Sequence, residues 1–373
     1  MSRLSRARRF WQGAALFALI TNTPRDYAWG SSTAIAALTG RAPSGRPEAE
    51  LWLGTHPGSP ARLVDSGAPL AELAGELPFL LKLLAADAPL SLQVHPSPEQ
   101  AVVGFAREQA AGVPLDAVER NYKDSSAKPE LIYALSDEFR ALSGFRPVGE
   151  TRSVLTALVD DPRVAPFASR LRSDADLGPV VAWLLDGGPE PVAVVEALTQ
   201  LAPGLAGPSW DTVRLLAAHY PGDPGIAVSL LLHSVVLRRG EALYLPAGNI
   251  HAYLSGLGVE LMGPSDNVLR CGLTPKHVDV PELLSVVDFT PVLDPRLAAA
   301  SVGGGVTVFA PDGAGWELRV LDAGARLEVT TPAIAFVLEG SLRGLSRGSA
   351  AYLVGETIEV AAAGRVVVAT AVG

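Results

Sequence analysis

The sequence is poor in the residues that cross-link a chain or bind nucleic acid. A single cysteine, Cys271, excludes an internal disulfide and suits a reducing compartment. Charged residues are only 18% of the chain, and the net charge of −9 comes without long basic runs, which argues against a nucleic-acid partner. No apolar run is long enough to span a bilayer. We therefore expect a cytoplasmic protein with neither a nucleic-acid nor a membrane partner.

The abundant residues indicate a folded protein with many turns. Hydrophobic residues make up 48% of the chain, with 37 glycines and 30 prolines, which is far from a disordered composition. A length of 373 residues allows two or three domains and a sizeable core.

The first twenty residues, MSRLSRARRFWQGAALFALI, place four arginines before a short apolar run and so imitate an export signal. No small-residue cleavage pattern follows the apolar run. We interpret ALFALITN as part of the first strand. Residues 1–13 are then a disordered basic extension or an artefact of the assigned start.

Two changes of local sequence pattern divide the chain into three segments. Residues 14–148 are short extended segments broken by glycine and proline, which is typical of strands and turns. In residues 149–225 the apolar residues are spaced as on one face of a helix, and a pattern typical of strands returns after residue 225. We predict a mainly β protein with a catalytic domain formed by 14–148 and 226–290, a helical insertion at 149–225, and a smaller C-terminal β domain at 291–373.

The segment GEALYLPAGNIHAYLSG, residues 240–256, has a fixed spacing of Gly240, Pro246, Gly248 and His251. Glycine permits tight turns and proline fixes their entry, so the pattern predicts strand, turn and strand. It resembles the second sequence motif of the cupin family, which implies a cupin-like jelly-roll with His251 facing the barrel interior. On this motif alone, a hydrogen-bonded core histidine is an equally good interpretation.

The stretch LSLQVHPSP, residues 90–98, combines an amide with an imidazole. If it is extended, alternation puts Ser91, Gln93 and His95 on one face and turns Val94 into apolar packing. The three polar side chains would then line one pocket.

Further blocks follow in a set order: DYAWGS, ELWLGTHPGSP, the segment around QVHP, NYKDSSAKPELIYAL, and HAYLSGLGVELMGPSDNVLRCGLTPKHVDVPELL. Together they resemble the type I phosphomannose isomerases, a zinc-dependent family, from about residue 20 to residue 290. The C-terminal tail is similar to that family only in texture. The resemblance implies interconversion of mannose 6-phosphate and fructose 6-phosphate. We expect a phosphorylated hexose as the partner, and a monomer.

The resemblance also implies the ligands of one zinc ion, namely Gln93, His95, Glu130 and His251. Two imidazole nitrogens and two oxygens form a set that suits zinc. Because Glu130 is the only anion among them, the loaded site would keep a single positive charge. That charge would attract sugar oxygens and developing oxyanions.

Seven further residues receive roles from the same resemblance. The catalytic candidates are Arg270, Lys128, Glu260 and Asp266, and the candidates for binding phosphate are Ser91, Lys82 and Lys276. The proton-transfer base stays open among the two carboxylates and Lys128, because a turn at 256–258 would leave Glu260 on no fixed face.

Each cationic candidate has a simpler interpretation as well. Arg270 offers a permanently charged fork for an enediolate or a phosphate, but it could instead form a salt bridge to Asp266. Lys82 and Lys276 are solvated surface lysines in the alternative interpretation.

One position departs from the family. Many members carry a histidine immediately before the lysine of KPE, where this chain has Ala127. Ring opening would then fall to water, zinc, His56 or His95, or would be spontaneous, and we interpret His56 itself as a turn or core histidine. Two other functions stay open: a non-catalytic cupin that binds a sugar phosphate as a regulator, and a metal-dependent oxygenase, against which Gln93 argues.

Overall fold

The computed structural model describes residues 15–372. Two large antiparallel sheets of ten and eight strands dominate this part of the chain, and a block of helices interrupts the first sheet. The predicted class, mainly β with a helical insertion, is confirmed. The predicted basic extension at 1–13 lies outside the described residues.

The elements are numbered in chain order. The strands are β1 (Leu16–Thr21), β2 (Glu50–Leu53), β3 (Arg62–Leu63), β4 (Leu80–Ala86), β5 (Leu92–Val94), β6 (Glu130–Ala134), β7 (Glu138–Phe145), β8 (Leu232–Arg238), β9 (Ala242–Leu245), β10 (His251–Met262), β11 (Leu269–Gly272), β12 (Arg296–Leu297), β13 (Ala300–Gly303), β14 (Val306–Phe309), β15 (Trp316–Leu321), β16 (Arg326–Val329), β17 (Ala333–Glu339), β18 (Ser341–Leu342), β19 (Leu345–Ser346), β20 (Ala350–Val354), β21 (Glu356–Glu359) and β22 (Arg365–Ala371). The α-helices are α1 (Ala34–Leu38), α2 (Leu70–Ala74), α3 (Pro98–Ala110), α4 (Val148–Leu155), α5 (Ala165–Arg170), α6 (Leu177–Leu185), α7 (Pro189–Leu201), α8 (Pro208–His219), α9 (Gly225–Ser229) and α10 (Val280–Val286), with short 3₁₀ turns at Thr156–Leu158, Asp174–Asp176 and Ala202–Gly204.

Strand β10 organises the ten-stranded sheet. Its first residues pair with β5 and β7, whereas residues 256–262 pair with β4 and β6. The strand therefore passes from one side of a jelly-roll barrel to the other, as a corner strand does. Strands β2, β8 and β9 extend the pairing outward from β4, β7 and β6 respectively.

A bulge lets β10 turn this corner. The register shifts between Tyr253 and Ser255, and Gly256 follows with a φ of +124°. A Cβ at Gly256 would lie 2.9 Å from the Cα of Phe139, so only glycine fits there without displacing the backbone of β7. The turn considered at 256–258 does not form, because those residues continue the strand. The extra residue restores the inward face, so the side chain of Glu260 points into the barrel as His251 does.

The eight-stranded sheet runs in the order β13, β14, β15, β22, β17, β20, β1, β3. The predicted domain at 14–148 differs from this pairing, because β1 and β3 join the C-terminal strands. The reason is that β1 has apolar side chains on both faces. Leu16 and Ile20 pack in the core shared by the two sheets, and Phe17 and Leu19 pack in the core on the other face of the second sheet. A strand that is apolar on both faces gains most between two packed layers.

The helical block packs against the outside of the barrel. Helices α4 to α9 share one apolar core with Leu92 and Val94 of β5 and with Leu269 and Cys271 of β11. Because side chains alternate along a strand, the intervening Gln93 and Arg270 point to the barrel interior. Within residues 15–372, none of the helices combines the length and apolar character that a membrane crossing requires.

Candidate active site

The four predicted ligands converge inside the barrel. Gln93 and His251 are directly opposite each other in the pairing of β5 with β10, and Glu130 opens β6 on the far side of β10. His95 follows β5. The ligating atoms of His95, Glu130 and His251 all lie within 4.8 Å of one another, and each of these three residues is 1% exposed.

The residues after His95 end strand β5 sharply. Ser97 is the N-cap of α3: its hydroxyl accepts from the Gln100 amide at 3.2 Å, while Gln100 Oε1 accepts from the Ser97 amide at 2.9 Å. Proline occupies the first helical position, where no amide donor is needed. This capping box, encoded by SPEQ, fixes where the chain leaves the strand and so where the imidazole of His95 stands.

Both imidazoles are oriented by backbone carbonyls. His95 Nδ1 lies 2.7 Å from the carbonyl of Asn267, and His251 Nδ1 lies 3.0 Å from that of Asn249. A carbonyl can only accept, so each Nδ1 carries a proton, and a ring in its neutral form presents an Nε2 lone pair. These lone pairs face Glu130, at 3.3 Å from Oε1 for His95 and 3.2 Å from Oε2 for His251.

This arrangement fits a divalent cation. Lone pairs on two nitrogens face a carboxylate with no proton between them, and His95 Nε2 and Glu130 Oε2 are buried without a hydrogen bond of normal geometry in the described chain. Such an array of acceptors is repulsive unless a cation lies between them. Gln93 lies beside the same point, with its side-chain amide nitrogen 3.5 Å from His251 Nε2. Exchanging the two ends of the carboxamide would bring Oε1, the atom that can ligate, into that position.

Lys128 belongs to the immediate surroundings of the ligands. Its Nζ lies 2.8 Å from Glu130 Oε1, and the lysine is 8% exposed. Burial alone would raise the pKa of Glu130, but the Lys128 ammonium is the largest opposing influence, and the pKa lies well below its usual range. Glu130 is therefore an anion, as a metal ligand must be.

Lys82, a candidate for phosphate, lies in a second buried network. Its Nζ is 2.9 Å from Glu260 Oε2 and 3.6 Å from Glu50 Oε1, and it stands over the Trp52 ring at 4.8 Å. Lys82 is 5% exposed, so its interpretation as a solvated surface lysine was wrong. Burial opposes its charge, but the carboxylates of Glu260 and Glu50 dominate and raise the pKa of Lys82.

Glu260 shares the dry interior with this lysine. Burial raises the pKa of Glu260, and the nearby Glu130 and Glu50 carboxylates raise it further, while Lys82 acts in the opposite direction. A carboxyl group poised in this way is suited to accept and return a proton.

Arg270 and Asp266 do not form the salt bridge of the alternative interpretation. In residues 15–372 no carboxylate lies within 4.0 Å of the Arg270 guanidinium, and burial lowers its pKa. Asp266 instead lies 3.6 Å from His56 Nε2, with a side chain that is 54% exposed. Arg270 is therefore a half-buried cation whose donors are open to a ligand.

The remaining phosphate candidates differ in setting. Ser91 lies at the start of the polar face of β5, with its hydroxyl 3.4 Å from Gln93 Oε1. Lys276 is exposed on the segment after β11. The alternation argument for the face shared by Ser91 and Gln93 is thus confirmed, whereas the phosphate role of either residue stays a prediction.

Sequence reasoning missed Asn267, which ties three segments of the site together. Its carboxamide accepts from the amides of Lys123 and Asp124 and donates to the carbonyls of Asp124 and Ser126, while its own carbonyl holds His95. The signal was the fully polar run SDN beside the strand of Arg270, where a buried asparagine must find several partners. Sequence reasoning also missed that Glu50 and Trp52 lie on the same face of strand β2, although ELW places the two residues two positions apart.

His56 is a buried histidine beside a turn, which agrees with its interpretation from the sequence. Its Nδ1 accepts from the Gly58 amide at 3.1 Å, its ring contacts the edge of Trp52, and its Nε2 faces Asp266. It is 7% exposed. The structure thus places an oriented imidazole beside the candidate residues.

Comparisons with known proteins agree with this geometry. A family profile described as phosphomannose isomerase type I, catalytic domain, matches residues 16–148. Mannose-6-phosphate isomerase of Escherichia coli strain K12 is 42% identical over 293 residues, covering 72% of this chain and 74% of that protein. Mannose-6-phosphate isomerase of Homo sapiens is 33% identical over 316 residues, covering 72% of each.

Solved structures extend the likeness to nearly the whole chain. A zinc-bound mannose 6-phosphate isomerase superposes with a TM-score of 0.86 at 34% identity, covering 95% of this chain and 99% of that one. The apo form from Salmonella typhimurium gives a TM-score of 0.87 at 34% identity, covering 96% of this chain and all of that one. The C-terminal strands are therefore included in the likeness, beyond the range of the sequence blocks.

We expect the free energy of unfolding to depend less on pH once the imidazole at position 56 is removed. Burial lowers the pKa of His56 below its usual 6.5, Asp266 and Asp124 oppose this, and Lys82 and Lys128 add to it. Between the lowered pKa and pH 6.5, the unfolded chain therefore binds a proton at His56 that the folded chain does not bind. Stability from this group is complete above pH 6.5 and falls as the pH drops toward the lowered pKa, by up to about 1.4 kcal/mol per pH unit.

Chemical denaturation of the wild type and of His56→Gln between about pH 7.5 and 5 measures this difference in slope. His277→Gln is the matched control, because His277 is exposed. Equal slopes for the wild type and His56→Gln would show that another group takes up the proton.

Proposed function

The chain belongs to the type I phosphomannose isomerase family, and from this membership we infer that it interconverts mannose 6-phosphate and fructose 6-phosphate. The observation that carries the inference is the inward-facing set of Gln93, His95, Glu130 and His251, surrounded by cationic side chains suited to a phosphorylated sugar. The reaction moves a proton between C2 and C1 of the open-chain sugar through an enediol. A regulator that only binds the sugar phosphate is not favoured.

Zinc is the cofactor, and we propose these four residues as its ligands. Their two nitrogens and two oxygens match the preferences of zinc, and the buried acceptors around Glu130 need a cation. When bound, zinc polarises sugar oxygens and stabilises negative charge that develops on them. The carbonyls of Asn267 and Asn249 hold the two imidazoles in the ligating tautomer.

We propose that Arg270 binds the anionic part of the substrate. Its guanidinium is half-buried, lies on β11 opposite Gln93, and is paired with no carboxylate in the described chain. Such a guanidinium can donate two parallel hydrogen bonds to a phosphate or an enediolate. Ser91 and Lys276 are proposed as further phosphate contacts, because Ser91 precedes β5, Lys276 follows β11, and these two strands pair with each other.

We propose Glu260 as the proton-transfer base. It lies on the inner face of β10, and burial raises its pKa, which improves a carboxylate as a base. Lys82 then serves to position Glu260, because its ammonium is fully engaged by the Glu260 and Glu50 carboxylates. Asp266 is more exposed and is oriented by His56. It transfers the hydroxyl protons during ring opening, because Ala127 supplies no imidazole.

We further propose that the chain acts as a monomer in the cytoplasm. All four proposed ligands come from one chain, so the site does not need a second copy. The single cysteine, Cys271, is buried and suits a reducing compartment. The division into a catalytic domain, a helical insertion and a C-terminal β domain is kept as part of this proposal, with β1 and β3 assigned to the C-terminal sheet.

Purified protein should convert mannose 6-phosphate to fructose 6-phosphate in a coupled assay, lose this activity to a chelator, and regain it with zinc. Glu130→Gln should lower the zinc content measured by mass spectrometry, because a neutral amide replaces the only anionic ligand. Glu138→Gln is the control, since Glu138 is exposed and pairs with Arg238. A folded, zinc-loaded sample without turnover would favour the sugar-phosphate regulator instead.

Replacing Arg270 by alanine should lower kcat/KM by about 10²- to 10³-fold, because a charged donor to the anionic substrate is lost. Arg270→Lys should recover only part of this loss, since an ammonium cannot reproduce the planar fork. Steady-state kinetics measure both variants, with Arg152→Ala on the exposed side of α4 as the control. Wild-type kinetics for Arg270→Ala would remove Arg270 from the substrate site.

Glu260→Gln should lower kcat by about 10²- to 10⁴-fold, whereas Asp266→Asn should have a smaller effect. Glu50→Gln is the matched control, because it also removes a carboxylate partner from Lys82 but not the proposed base. Thermal unfolding of each variant checks that the fold persists. A larger loss of kcat for Asp266→Asn than for Glu260→Gln would reverse the assignment.

A further inference from the structure

A second cleft lies away from the proposed metal site, at the junction of the two sheets. It has a volume of about 490 Å³ and is lined by α1, by the end of β6, and by residues of β10, β17 and β22. Three arginines line it, namely Arg239, Arg347 and Arg365, together with the acidic Glu339 and the phenol of Tyr133. The remaining lining is largely apolar. The proposed reaction uses none of these residues.

The Tyr133 hydroxyl is an unused donor at the floor of this cleft. The residue is 4% exposed, and its ring is fixed by an edge contact with Phe309 at 5.4 Å between centroids. Between residues 15 and 372 the hydroxyl makes no hydrogen bond, and it is not among the fully buried unpaired atoms, so it reaches the cleft surface. Burial raises the pKa of Tyr133, which keeps the phenol protonated as a donor.

The arginines are held in place with donors to spare. Arg365 Nε binds Asp322 at 2.8 Å, and Arg239 binds Asp137 through Nε and Nη2, so each guanidinium keeps free N–H groups. Arg347 donates to the carbonyl of Ala37 and has no carboxylate within 4.0 Å in the described chain. Fixed guanidinium groups with free donors are suited to oxyanions such as phosphate.

We propose that this cleft is a second ligand site, which binds a nucleoside phosphate. The phosphate accepts from the remaining N–H groups of the arginines and from the Tyr133 hydroxyl, because all four side chains line the same cleft. The carboxylate of Glu339, which has no ion-pair partner in residues 15–372, accepts from sugar hydroxyls or from a base amino group.

The size and the wall of the cleft select the nucleoside over a bare phosphate. Its volume lies in the range of sites for small organic ligands, about 300 to 1,000 Å³, and exceeds what inorganic phosphate needs. Leu38, Leu257 and Leu338 supply an apolar surface on which a flat base can pack. A ligand that joins an anionic end, hydroxyl groups and a flat face matches all three parts of the lining.

Strand β6 connects this cleft to the proposed metal site. Tyr133 and Glu130 are three residues apart on β6, so alternation turns them to opposite faces of the strand. A ligand held by Tyr133 therefore contacts the reverse side of the strand that carries a proposed zinc ligand.

The test is isothermal titration calorimetry on the zinc-loaded full chain, with a saturating, pre-equilibrated mixture of mannose 6-phosphate and fructose 6-phosphate present. Guanosine 5′-monophosphate and adenosine 5′-monophosphate are the probes. At least one should bind saturably at a single site despite the occupied active site. Guanosine and inorganic phosphate should each bind at least about tenfold more weakly, because each lacks one half of the interaction.

The combined variant Tyr133→Phe with Arg347→Ala should weaken nucleotide binding by about tenfold or more. Arg326→Ala is the matched control, since Arg326 is exposed on β16 and outside the cleft. Thermal unfolding confirms that each variant is folded. The proposal is overturned if neither nucleotide binds, if the sugar phosphates abolish binding, if inorganic phosphate binds as tightly, or if the combined variant binds like the wild type.

Discussion

The constraint on which this structure depends is a carboxylate in a dry interior. Glu130 is almost fully buried, and an isolated anion there would be very costly, so its surroundings must supply positive charge. Lys128 supplies part of that charge, and the two imidazoles turn unprotonated nitrogens toward the same point because backbone carbonyls hold their other nitrogens. This arrangement is suited to a cation, and zinc is the cofactor of the family to which the chain belongs. The loops that carry Asn267 and Lys128 exist in their observed form because they must hold this cluster together.

The strand at the centre of the barrel carries two of the groups in the site. One strand, β10, presents a proposed metal ligand near its start and a carboxylate nine residues later to the same interior, although nine is an odd spacing. A bulge and a glycine at the corner make this possible, since the inserted residue shifts the alternation. The proposed zinc site and the proposed base are therefore held by one continuous backbone segment, which fixes their separation better than two loops would.

Charge pairing separates the cations of the barrel into two groups. Lys82 and Lys128 are engaged by buried carboxylates, so they shape the site and tune its acids. Arg270 has no such partner in the described chain and keeps its donors for a ligand. The same distinction applies to the cleft between the sheets, where carboxylates anchor Arg239 and Arg365 and, within residues 15–372, the Tyr133 phenol has no hydrogen-bond partner. A cation that a carboxylate already neutralises supports the structure of the site, whereas a cation without such a partner can contact a ligand.

The sequence by itself determined the class of the protein, the proposed ligand set and much of the polar face of β5. These follow from local order: alternation places Ser91 and Gln93 together, SPEQ ends the strand after His95, and the ordered blocks identify the family. The tertiary structure decided the rest. It moved β1 into the second sheet, continued β10 through a predicted turn, buried Lys82 beside Glu260, and separated Arg270 from Asp266. Sequence reasoning could not reach these results, because strand partners, bulges and ion pairs depend on residues far apart in the chain that meet only when the chain is folded.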